Sequence, residues 1–119
     1  MINNALKEEG KIFTPLYIVN ILLDVAKYTT AESILEKHFM DNSAGDGNSV
    51  VAAVSRYCVE HIRHNSTKDG LKHSLETYIH AIELNKANFR QLKRRLDEAA
   101  SMYGITDVKW DIRVADVLS

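Results

Sequence analysis

Proline, cysteine and glycine are scarce in this chain, and each scarcity removes a class of protein. The 119 residues contain one cysteine, Cys58, which leaves no partner for an internal disulfide and fits a reducing, cytoplasmic setting. One proline, Pro15, excludes any motif built on a proline pair. Charge of one sign is missing too. Fifteen basic residues against 16 acidic ones leave a formal net charge of −1, which argues against strong non-specific attraction to polyanions. The amino terminus, MINNALKEEGK, has no apolar core of the kind a secretory signal needs. The longest apolar run, YIVNILLDVA, is about half a membrane span and is broken by Asn20 and Asp24. A soluble, cytoplasmic chain without membrane association is expected.

What is present is ordinary for a globular domain: 45% hydrophobic and 26% charged residues in 13.5 kDa. That size allows at most one domain, burying roughly two-thirds of its unfolded surface. Thr14 is placed to cap a helix that opens on Pro15, where a missing N–H costs nothing. The following residues are apolar nearly all round, which predicts a helix buried between layers. Thr29 and Glu32 have capping-box spacing ahead of a short second helix, AESILEK. HFMD is a short strand candidate. Val50, Val54, Cys58 and Ile62 recur at helical spacing and predict a helix over about 49–64. HNSTKDG reads as a loop, and TYIHAIEL, rich in β-branched and aromatic residues, as a second strand.

A strongly amphipathic helix follows, with Phe89, Leu92, Leu96, Ala99 and Tyr103 on one face and Gly104 as its stop. In KWDIRVADVLS, Trp110, Ile112 and Val114 alternate with Asp111, Arg113 and Ala115, the pattern of a strand with one wet face or at a sheet edge. The order is helix, helix, strand, helix, strand, helix, strand. Helices between strands mean right-handed crossovers and a parallel sheet. No internal repeat or low-complexity segment is present.

Ligands of such sheets bind beyond the carboxyl ends of the strands, where glycines let them approach the backbone. The turn DNSAGDGN, residues 41–48, has Gly45 and Gly47 in that place. Val50 stands where a dinucleotide fingerprint has its third glycine, and no Gly-Lys-Ser/Thr follows. Asp41 before the turn and Asp46 inside it repel phosphate but accept hydrogen bonds from an amino group. The expected ligand is a nucleoside with a cationic tail.

At this point a family comes into view. FTPLYIV, DNSAGDGN, IELN and ADVLS stand in the order and context of the leading motifs of adenine-specific DNA methyltransferases. From about residue 11 to 119 the chain resembles that family, in the group whose cofactor region precedes the catalytic motif, as in type I and many type II restriction–modification enzymes. The resemblance implies an α/β fold with a Rossmann-like parallel sheet of the class I methyltransferase type, truncated after about three strands. Residues 1–36 would form an N-terminal helical segment and 37–119 the first half of the cofactor-binding domain.

The resemblance also implies an S-adenosylmethionine site. Thr14, Pro15 and Ile18 would approach the methionine part. Asp41 would face its amino group, and Ser43, Ala44, Gly45, Asp46, Gly47 and Asn48 would form the cofactor loop. Glu83 would accept both ribose hydroxyls, Leu84 would pack on the adenine, and Asp116 would accept the adenine amine with Val117 alongside. The chain departs from the family at Asn42, where a proline usually follows the first aspartate, and in a longer stretch from His64 to Thr77.

With its single proline the chain does not contain the Pro-Pro-aromatic motif with which the family holds adenine for methyl transfer. It is therefore expected to be a cofactor-binding piece, inactive alone, meeting DNA only within a full enzyme. An unpaired first strand would favour self-association or a C-terminal partner polypeptide. Two alternatives stand beside this reading: a non-catalytic assembly module that keeps the fold, or part of a methyltransferase for RNA or protein. Cys58, His61 and His64 lie three apart on one helix but rotate off a common face, so no metal is expected, only a buried thiol and two surface imidazoles. His38, His73 and His80 show no ligand spacing. The run RQLKRRL reads as a solvated helix face, and Phe89, Tyr103 and Trp110 as core.

Overall fold

A computed structural model describes residues 15–29, 34–41, 47–64 and 67–114 of the chain. Its elements are α1 (Leu16–Val25), β1 (Phe39–Asp41), α2 (Asn48–Arg63), α3 (Lys68–Tyr78), β2 (Ile79–Glu83), α4 (Phe89–Ser101) and β3 (Asp111–Val114), with a 3-10 turn at Lys86–Asn88. The strands form a three-stranded parallel sheet in the order β1–β2–β3. Phe39 pairs with Ile79, and Ala81 with Asp41 on one side and Ile112 on the other.

Helix α2 is the hub. It packs on α1, α3 and α4 and lies against β1 and β2. Val50, Ala53, Val54, Tyr57 and Cys58 are fully buried along it and share one core with Ile79 and Ala81 of β2. Strand side chains alternate between sheet faces. In β2, Ile79, Ala81 and Glu83 are buried while His80 and Ile82 are half-buried. The opposite face also carries Met40, register partner of His80 and 50% exposed.

Several expectations change. Helix α1 is not buried between layers: Val19 and Leu23 enter the core, whereas Tyr17, Ile21, Leu22 and Val25 are exposed, Val25 to 75%. An all-round apolar sequence does not say how many partners a helix has, and α2 covers one side only. Pro15 is the cap residue itself, its carbonyl accepting from Ile18 and Val19; Thr14 lies outside the described residues. Of AESILEK, Ile34–Lys37 is a turn rather than a helix, fixed by the buried Ile34 and by Tyr57, whose hydroxyl donates to the Leu35 carbonyl at 2.7 Å.

The largest difference is α3, which begins inside the expected loop at Lys68 and takes in Thr77 and Tyr78, the front of the expected strand. Thr67 caps it, its hydroxyl accepting from the Gly70 N–H at 2.9 Å, and Leu71 and Leu75 bury one stripe. Strand β2 therefore starts at Ile79, not at Thr77. Helix α4 matches its pattern, with Leu92, Leu96, Ala99 and Ala100 buried. Gly104, at φ 79°, ends it as a left-handed residue, and the Ile105 N–H reaches back to the Ala100 carbonyl at 3.1 Å. Among the described residues strand β3 lies at a sheet edge, but its burial falls toward the carboxyl end instead of alternating, with Arg113 and Val114 exposed.

Candidate functional site

In a parallel sheet all carboxyl ends lie on one edge, so Asp41, Glu83 and Val114, the last residues of β1, β2 and β3, stand along one rim. Three of the expected site positions meet there: Asp41, Glu83 and Leu84. Glu83 is only 2% exposed. Burying a carboxylate is costly unless it is hydrogen-bonded. Its Oε1 accepts from the Asn85 N–H at 3.2 Å. Leu84, immediately after, is 37% exposed and offers an apolar surface.

Beside this rim lies a cavity of about 580 Å³ lined by Lys86, Ala87, Phe89, Arg90 and Val114. Its size is that of a small-molecule site, and its wall combines one aromatic ring, two small apolar groups and two cations. Val114 is the register partner of Glu83, so the cavity opens one strand away from the buried carboxylate, which does not itself line it. Phe89, expected in the core, is half-buried at this wall and outside the core cluster. Lys86, Phe89 and Arg90 were not singled out as site residues by sequence. The signal was their position directly after a strand ending in a carboxylate.

The glycine turn is described at its carboxyl end only. Gly47 adopts φ 82° and precedes α2, with its carbonyl accepting from Val51. A Cβ there would meet Leu92 Cδ1 at 2.7 Å. The missing side chain thus makes room for α4, whereas sequence reasoning assigned that space to a ligand. Asn48, the first residue of α2, accepts from Arg95 Nη2 at 2.8 Å. Arg95 is accordingly half-buried against the turn and leaves the solvated face to Arg90, Lys93 and Arg94. Pro15 is exposed and Ile18 half-buried at the start of α1. Thr14, Ser43, Ala44, Gly45, Asp46, Asp116 and Val117 lie outside the described residues.

The remaining ionisable groups sit elsewhere. Cys58 is buried, and that burial pushes its thiol up to about 12. His61, expected at the surface, is buried between Tyr57 and Ser74, while His64 is exposed near the buried Glu60. The helix turns His61 inward with Cys58, one turn before it. No cluster among the described residues could hold a metal ion, and no described helix is long and apolar enough to cross a membrane. His38 and His80, which share no sequence spacing, meet at 2.8 Å across the sheet.

No protein-family model matches the chain, and no solved structure matches it. Among curated proteins, the type II methyltransferase M.BstVI of Geobacillus stearothermophilus is 28% identical over 109 residues, which cover 90% of this chain and 19% of that enzyme. The chain spans about one fifth of its relative's length, and the similarity connects it, distantly, to a type II methyltransferase.

Proposed function

We propose that this chain is the S-adenosylmethionine-binding segment of an adenine-specific DNA methyltransferase from a restriction–modification system. The observation that carries the reading is Glu83: a buried carboxylate at the carboxyl end of a parallel strand, beside an open cavity. An ionised carboxylate only accepts hydrogen bonds, and two oxygens suit the two hydroxyls of a ribose. Leu84 would lie against the adenine ring. Phe89 and Val114 supply further apolar wall. Asp41, at the neighbouring strand end, would take the methionine amino group, with the turn from Ser43 to Asn48 around it and Thr14, Pro15 and Ile18 closing that side. Asp116 and Val117 would complete the adenine end. Gly47 serves α2–α4 packing in this scheme. When bound, S-adenosylmethionine supplies a sulfonium-activated methyl group. The residues here bind and orient it, and transfer to DNA requires groups that this chain's sequence does not contain.

Titration calorimetry tests the reading. S-adenosylmethionine should bind the folded chain, and Glu83→Gln should weaken binding by about 10- to 100-fold, as expected for losing bonds to a charged acceptor. Equal affinity of the variant, or no heat at millimolar ligand from a folded chain, would overturn it. A second reading, a non-catalytic assembly module, is favoured by one observation: the exposed apolar residues of α1 together with the thinly covered sheet face. Absence of cofactor binding by a folded, self-associating chain would select it.

A further inference from the structure

On the less covered face of the sheet, at the amino-terminal ends of the strands, three side chains from three successive segments join in a line. His38, just before β1, places Nδ1 2.8 Å from His80 Nε2 on β2. His80 Nδ1 lies 2.6 Å from Asp111 Oδ2 at the start of β3, and Arg113 Nε donates to the other oxygen of Asp111 at 3.3 Å. The two imidazole planes are within 20° of each other, and Tyr78, the last residue of α3, holds its ring 4.8 Å from that of His38. Among the described residues, Arg113 of β3 and Tyr78 of α3 are the charged or titratable groups that face this line besides its own members. Neither the proposed cofactor site nor any sequence motif uses it.

The hydrogen count along the line is fixed by chemistry. The bond from His80, set against partial burial and aided by Arg113, holds the Asp111 carboxyl below the usual carboxylate range. An ionised carboxylate accepts only, so His80 Nδ1 carries a hydrogen. Between His38 Nδ1 and His80 Nε2, at 2.8 Å, there is room for one hydrogen and one lone pair. With both rings neutral, His38 donates to His80. One added proton makes His80 a cation, which donates to Asp111 and to His38. A second added proton sets N–H against N–H and two cations side by side, and the bond must break. The imidazole is the side chain that changes charge between about pH 5 and 8.

We propose that the His38–His80–Asp111 line is a pH-operated latch that fastens β1 to β2 and opens in acid. Among the described residues strand β1 is three residues long and pairs in the sheet with β2 alone, so a side-chain bond next to its first residue adds to an attachment otherwise made by that short ladder and by Phe39 packing on the core. Opening the latch frees the strand whose other end, Asp41, leads into the glycine turn. The latch operates whether or not the chain binds S-adenosylmethionine.

Nitrogen-15 imidazole spectra and amide hydrogen exchange of the full chain test it. At about pH 8, His38 and His80 should both carry hydrogen on Nδ1, the less common neutral form. On acidification the protection factors of Phe39, Met40 and Asp41 should drop by about tenfold while those of Ala81 and Ile112 hold. In His38→Phe, which keeps a ring against Tyr78, β1 protection should sit at the lower level and lose its pH step. A neutral His80 with its hydrogen on Nε2 would overturn the latch. So would a β1 pH profile identical in the wild type and His38→Phe. The spectra of the wild type alone decide the first point, so a variant that fails to fold does not shield the proposal.

Discussion

Burial at His61 acts against its protonated ring, and the neighbouring His64 adds to the effect, so both causes lower its pKa. The folded chain then keeps this imidazole neutral at pH values where the unfolded chain has already bound a proton. Where the unfolded state binds more protons, stability rises with pH. His61 therefore stabilises the fold above about pH 6.5, and that contribution is lost as pH falls from there toward the lower folded value. One proton of this kind gives a slope of at most about 1.4 kcal/mol per pH unit. Two carboxylates act in the same direction but in a more acidic window. Burial alone would raise Asp97, but bonds from Lys93 and Trp110 outweigh it, and Asp111 is lowered first by His80. Both contributions are present above about pH 4 and disappear below it. Urea unfolding between pH 7.5 and 5, read at about half-unit steps, should show stability falling, and His61→Gln should flatten part of that fall. An unchanged slope in the variant would show that His61 is not the group responsible. Tyr28 is the opposite case: its hydroxyl is buried without a partner among the described residues, and burial raises its pKa far out of reach of neutral pH.

Between elements, the closest fit is that of α2 on α4 at Gly47. A left-handed backbone costs a non-glycine residue about 1–2 kcal/mol, and an added methyl group 2.7 Å from Leu92 Cδ1 costs about 1–3 more. Gly47→Ala should lower unfolding stability by about 2–5 kcal/mol, and combining it with Leu92→Ala should give a loss smaller than the sum of the two. Additive losses in denaturant titrations would mean that the two helices do not meet there as described. The same glycine shows what the sequence could and could not convey. Its place before a helix was readable, but whether its missing side chain admits a ligand or another helix depends on Leu92, far along the chain. The amphipathic α4, with leucines at helical spacing and Gly104 at its end, was legible because both signals are local. Helix α3 was hidden because its first turn, Lys68–Gly70, has loop composition, and only Thr67 and the Leu71–Leu75 pair mark it. Glu83 at a strand end followed from sequence. The Lys86–Arg90 wall beside it did not, because the cavity forms where the turn after β2 and the start of α4 come together with Val114 at the end of β3. The two histidines of the latch are 42 residues apart, and only strand register brings them together.

For the molecule as a whole, the distribution of cover is uneven. Parallel sheets in globular proteins are normally covered on both faces. Here the core lies on the side of α2, while Met40 on the other side is half exposed and, among the described residues, β1 forms one edge of the sheet. Helix α1 adds Tyr17, Ile21 and Val25 at successive four-residue steps, a continuous apolar stripe, all more than half exposed. Contiguous apolar patches of this kind are uncommon on monomers and mark contact surfaces, and a strand edge without a partner among the described residues adds main-chain donors and acceptors to the same tendency. Sedimentation of the isolated chain should therefore show a mass that rises with concentration across the micromolar range. Ile21→Asp together with Val25→Lys, both on the exposed side of α1, should move the weight toward the monomer without lowering unfolding stability by more than about 0.5 kcal/mol, since neither side chain enters the core. Met40→Lys should do the same if the sheet face, not α1, makes the contact, so the pair of variants locates the surface. A single monomeric species at every concentration would remove the idea that either surface drives association.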